Sequence, residues 1–180
     1  MRHFQILFLF FVLLITVPVR AQKFVVEKSH INFFSDATIE DITADNKKAA
    51  GIFNSANGEI VFSVPISEFQ FAKSLMQEHF NEKYMESDKY PRSQFQGKIL
   101  QYTLSGNPEQ EVKASGKLTI HGVTRDIEIP GTIRKEGDKL LMKSKFIVKL
   151  SDYNIEIPQL LWQNIAEQVD VTLEFTFRPQ

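Results

Sequence analysis

Gln168-Val169-Asp170-Val171-Thr172-Leu173-Glu174-Phe175-Thr176-Phe177-Arg178 alternates without a break. Val169, Val171, Leu173, Phe175 and Phe177 share one parity. Asp170, Thr172, Glu174 and Thr176 share the other. Successive side chains of a strand point to opposite faces, so this pattern predicts an antiparallel strand with one buried and one wet face. Glu111 to His121 repeats the pattern, with Val112, Ala114, Gly116, Leu118 and Ile120 inward. Ile127, Ile129 and Ile133 continue it, with Gly131 in the fourth inward slot. Phe146, Val148 and Leu150 do the same opposite Lys143, Lys145 and Lys149. Ile60-Phe62-Val64-Ile66, Phe95-Gly97-Ile99 and the weaker Ile31-Phe33-Ser35-Ala37 complete the set.

Turn signals separate these runs. Asn57-Gly58 is the strongest hairpin dipeptide. Gly106-Asn107-Pro108, His121-Gly122 and Glu136-Gly137-Asp138 mark three more. Seven or eight strands therefore follow one another through short connections, with no helix alternating between them. That argues against a parallel α/β fold; about eight such strands form a barrel or a sandwich, and the sequential hairpins favour an up-and-down barrel. One segment has a different period: Lys73 to Tyr84 places Leu75, Met76, His79, Phe80 and Tyr84 on one face of a helix. This helix is expected to cap an opening of the barrel. Leu160 to Ala166 reads as a short helical turn or a loop carrying Trp162.

The N-terminus has its own logic. Arg2 and His3 precede a 12-residue apolar run, Ile6 to Val17, interrupted only by Thr16, and Val19-Arg20-Ala21 places a β-branched and a small residue at the two positions a signal peptidase reads. This is the layout of a secretory signal peptide over residues 1–21, and the run is too short to span a bilayer. The expected mature domain is 22–180, periplasmic or secreted. Arg2 and Arg20 leave with the signal, so 19 Lys and Arg stand against 22 acids, a net charge of −3. That balance argues against nucleic acid as a partner. The chain has no cysteine, so thiol nucleophiles, Cys-ligated zinc and disulfides are excluded.

Catalytic motifs are missing too. His30, His79 and His121 show no metal-ligand spacing, and there is neither a nucleophile elbow nor a phosphate-cradling loop. No catalytic residue, no metal and no cofactor is expected, and the chain reads as a non-enzyme. What stands out is the supply of inward apolar side chains, including 12 Phe after residue 21. They form either a solid core or a dry pocket. The small residues Gly97, Ala114, Gly116 and Gly131 either leave room inside or let strands approach closely. If there is a pocket, its expected lining and lid are Phe33, Phe62, Met76, Phe80, Phe95, Leu118, Ile120, Ile127, Ile129, Phe146, Val171, Leu173 and Phe175.

The run Gly116-Lys117-Leu118-Thr119-Ile120-His121-Gly122-Val123-Thr124-Arg125 resembles the signature of the YceI-like, polyisoprenoid-binding, lipocalin-like family. Tyr90-Pro91 followed by Phe95, Glu78-His79-Phe80-Asn81 with Met85-Glu86-Ser87, and Ser151-Asp152-Tyr153-Asn154-Ile155 are similar to further motifs of that family in the same order. The resemblance covers Gln22 to Pro179. It implies an all-β, extended eight-stranded antiparallel lipocalin-like barrel whose pore takes an isoprenoid or fatty chain. It also implies an exported bacterial protein, often dimeric, in transient contact with membranes at most. The family often carries Arg before Ser-Asp, where this chain has Leu150. Thr119, Thr124 and Arg125 are either headgroup contacts or parts of a structured hairpin. A solid-core interaction module and an enzyme acting on a quinone-like lipid are the alternatives.

Overall fold

A computed structural model describes residues 22–36, 41–106, 108–157 and 166–180. Residues 1–21, read above as a signal peptide, Ala37, Asn107 and the stretch around Trp162 lie outside the described residues.

Ten strands follow in order: β1 (Lys23–Ser35), β2 (Ile42–Asn46), β3 (Ala50–Asn54), β4 (Glu59–Pro65), β5 (Gln70–Phe71), β6 (Arg92–Leu100), β7 (Gln110–Ile120), β8 (Val123–Glu136), β9 (Lys139–Lys149) and β10 (Gln168–Pro179). Neighbours pair antiparallel in the order β10-β9-β8-β7-β6-β4-β3-β1, and β1 pairs back onto β10 to close an eight-stranded barrel. The two additional strands extend existing staves. The twelve-residue step from Lys23 to Ser35 is matched by the twelve-residue step from Ile42 to Asn54, so β2 and β3 are one strand interrupted at residues 47–49. β5 pairs with β2 and prolongs the edge begun by β4 after a 3₁₀ turn at Ile66–Glu68. Asn46 holds the interruption: it is fully buried, donates to the Pro65 carbonyl at 2.7 Å and accepts from Lys48 N at 2.8 Å. Both bonds offset the cost of burying an amide.

The helix is shorter than its periodicity suggests. α1 spans Ser74–His79, and the backbone then widens into a π turn over Phe80–Tyr84, with Met85 N bonding to Phe80 O. A π turn adds one residue to the loop it closes.

The interior is divided along the barrel axis. At one end Phe24, Phe53, Phe177, Ile133 and Leu140 are almost completely buried and pack as a plug. Phe53 lies 6.4 Å from Phe24, 6.5 Å from Phe177 and 5.4 Å from Tyr102 between ring centroids. The Tyr102 hydroxyl leaves the apolar layer by donating to Ser55 O at 2.9 Å. At the other end α1 and its π turn lie over the barrel.

Two inward glycines serve strand approach rather than empty space. Gly97 and Gly116 face each other across β6 and β7. A Cβ on Gly116 would sit 2.3 Å from the Gln96 carbonyl oxygen and 2.5 Å from Gly97 Cα, both rigid backbone. Gly116→Ala should therefore part the two strands and lower stability by about 2 kcal/mol, the usual scale of overpacking. Thermal unfolding followed by circular dichroism checks this, and an unchanged melting temperature would show that β6 and β7 separate freely.

Candidate functional site

Above the plug, the barrel holds a cavity of about 530 Å³. Its floor is the stacked pair Phe62 and Phe175, with centroids 4.4 Å apart. Both rings also touch Phe177 of the plug, at 5.9 and 6.2 Å. The expected wall residues take their places by strand: Phe33 from β1, Phe95 from β6, Leu118 and Ile120 from β7, Ile129 from β8, Phe146 from β9, and Val171 and Leu173 from β10. Met76 and Phe80 close it from the helix. A packed core and a mainly apolar cavity thus coexist, one above the other.

Ile127 is the exception. It packs half-buried against the core without lining the cavity. It lies on a part of β8 that has no partner in β9, where the 3₁₀ turn Leu150–Tyr153 packs alongside. Several lining residues went unread in the sequence. Phe69 and Phe71 flank or form a two-residue strand, too short for any period to show. Ile155 follows a turn rather than a strand. Leu150, where the resemblance leads one to look for Arg, also faces the cavity.

The lid is anchored by rings. Phe80 reaches 5.6 Å from Phe33, 5.5 Å from Phe69 and 5.0 Å from Phe71. Such pairs contribute about 0.5–1.5 kcal/mol each beyond area burial. The polar contribution is small: Phe71 N donates to Gln77 Oε1 at 3.4 Å, and Asn81 donates to Gln77 O at 3.0 Å. α1 itself has no buried residue and no side-chain cap, and Leu75 is 60% exposed. Tyr84 lines the cavity beside the lid, and burial raises its phenol pKa.

The three histidines do not form one site. His79 alone lines the cavity. His30 bonds Asp45 at 2.6 Å on the outer face, and this bond, with a second from Asn32, holds the Asp45 carboxyl below its ordinary pKa. His121 sits at the β7–β8 turn, with Nδ1 3.2 Å from Tyr153 O and Nε2 2.9 Å from Glu86 Oε2. Tyr90 packs edge-on against it at 4.5 Å. Among the described residues no group of three or more His, Asp or Glu could hold a metal ion.

Thr119 and Thr124 bond each other at 2.8 Å across the hairpin, and Arg125 donates to Asp152 O at 2.9 Å. These three residues are thus tied into the hairpin and its neighbouring turn. His121 and Gly122 both adopt positive φ, 51° and 74°, as a two-residue primed turn requires. A Cβ on Gly122 would strike the Tyr90 ring at 2.5 Å. The motifs around Glu86, Tyr90, His121 and Tyr153 therefore converge into one corner that ties the helix-return segment to the barrel.

On the outer face of β9, Lys143 lies 3.7 Å from Glu174 and Lys145 lies 3.3 Å from Asp170. These are cross-strand ion pairs on a solvated surface, each of small value.

The fold has solved counterparts. A polyisoprenoid binding domain from Saccharophagus degradans, implicated in plant cell wall breakdown, aligns with a TM-score of 0.78 at 17% identity, covering 87% of this chain and 98% of that one. BcnA of Burkholderia cenocepacia aligns with a TM-score of 0.69 at 18% identity over 82% and 95%. A YCEI protein of Campylobacter jejuni gives 0.61 at 18% identity over 81% and 88%. No curated protein sequence matches significantly. The YceI-like domain matches residues 23–177. A closed barrel of this topology, matched to that domain over nearly all the described chain, belongs to the YceI-like family.

Proposed function

We propose that the protein is an exported, non-enzymatic carrier that holds a polyisoprenoid or related long-chain lipid inside the barrel. The observation that carries this reading is the cavity: about 530 Å³, walled by aromatic and aliphatic side chains and closed at its floor by packed rings. That volume falls in the range of small-molecule sites. The polyisoprenoid binding domain of similar fold supports the ligand class. The apolar run Ile6 to Val17 with its basic start supports export. No helix among the described residues is long and apolar enough to cross a membrane.

The energetics suffice without a charged anchor inside. Burying a chain contributes about 0.8 kcal/mol per methylene, so ten methylenes give about 8 kcal/mol before association costs of several kcal/mol. The thioether of Met76 and the ring of Phe80 suit a flexible apolar guest at the lid.

Native mass spectrometry of freshly purified protein, followed by organic extraction, tests the reading. A one-to-one adduct that extracts as a prenyl or acyl chain is expected. A clean apo mass that persists after incubation with prenyl lipids would leave the interior as packing alone. Placing carboxylates on the cavity floor with Phe62→Asp and Phe175→Asp should abolish lipid retention, because an ionised group in an apolar cavity is strongly disfavoured. Retained lipid in a folded double variant would remove the floor from the site.

Phe80→Ala removes three ring contacts from the lid. It should speed amide exchange over residues 74–84 and hasten lipid release, while exchange in β7 to β10 stays slow. Equal protection of the helix in both proteins would show that Phe80 is not its anchor.

A further inference from the structure

β8 and β9 separate midway, and one residue accounts for it. Gly137-Asp138 forms a two-residue turn between Glu136 and Lys139, so hydrogen-bonded pairs recur at every second residue: 136 with 139, 134 with 141 and 132 with 143. The next such pair would join Pro130 to Lys145. Proline has no N–H to give, and the pairing ends at Gly131 with Ser144. On their far sides β8 stays paired to β7 as far as Val123, and β9 stays paired to β10 as far as Lys149. The result is a wedge in the barrel wall. Its wide end is occupied by the Leu150–Tyr153 turn, held through Arg125 and His121.

The narrow end is different. By parity Pro130, Thr132 and Lys143 belong to the outer face, yet they line the same cavity as inward Ile129 and Met142. Inward Ser144 and Phe146 are only half-buried. The cavity therefore reaches the outer surface beside Pro130. Lys143 is the one fixed charge in its lining among the described residues. The Lys143 ammonium is 3.7 Å from Glu174, and the Ser144 hydroxyl donates to Pro130 O at 2.6 Å.

We propose that this gap is a lateral headgroup site, where a lipid whose chain fills the cavity presents an anionic head to Lys143. The proposal rests on the lipid-carrier reading above. An anionic head cannot follow its chain into an apolar interior. At the gap it stays wet and gains a charge-assisted contact, for which Glu174 is the competing acceptor.

The test compares geranylgeranyl phosphate with geranylgeraniol by isothermal titration of the full mature chain. Lys143→Gln should weaken the phosphate about tenfold, the scale of one charge-assisted hydrogen bond, and leave the alcohol unchanged. Glu174→Gln should tighten the phosphate by removing the competitor. Pro130→Thr, which restores the missing donor, should slow exchange of both lipids. Phosphate affinity unmoved by Lys143→Gln, with both lipids still bound, would overturn the headgroup site and leave the carrier reading intact. Failure of the unaltered protein to bind either lipid would overturn the carrier reading itself.

Discussion

Ten residue pairs between β1 and β10 turn an open sheet into a barrel. Without them both strands would present rows of unpaired backbone groups to solvent, and the sheet would have two edges ready to pair with another chain. Closure also defines an inside. Once the sheet curls onto itself, one parity of every strand faces a shared axis, and the apolar residues of eight staves meet there. Interior, plug and cavity all follow from that backbone constraint, because no one hairpin could bury so many rings alone.

Strands with unbroken alternation were legible from sequence: β7, β10 and most of β4 and β6 fall where period two puts them. β1 was half legible. Phe24 and Val26 point inward on one parity, Ile31, Phe33 and Ser35 on the other, because a bulge between Val26 and Lys28 shifts the register. The same interruption on the neighbouring stave splits β2 from β3, and their few residues carry too short a signal. The helix was read one turn too regular, since a π turn leaves no clear mark in the spacing of apolar residues.

The site was legible to the extent that parity is the whole question. Parity says which residues point inward and is silent on their height along the axis. Phe175 and Phe177 sit two residues apart with identical pattern, yet one floors the cavity and the other belongs to the plug. Ile127 misleads for a related reason: its parity is inward, but β8 has already left its neighbour there. The motifs around His121 have a packing explanation in the structure. They fasten three stretches distant in sequence at one corner, through bonds of 2.9 and 3.2 Å and an edge-on ring.

Along the barrel axis the plug closes one end of the cavity, which is a sleeve rather than a through-tunnel. On the carrier reading, a linear apolar guest with no anionic head that enters past the lid can advance only until its tail meets the Phe62–Phe175 stack, so the sleeve would measure its length. Each methylene up to that depth adds about 0.8 kcal/mol, and each one beyond it stays in water and adds nothing. Affinity across such a homologous series should climb and then level off, with the plateau marking the distance from the lid to the paired rings. Deepening the sleeve by trimming those rings would move the plateau to longer chains, and the floor would then be the part of the barrel that sets chain-length preference.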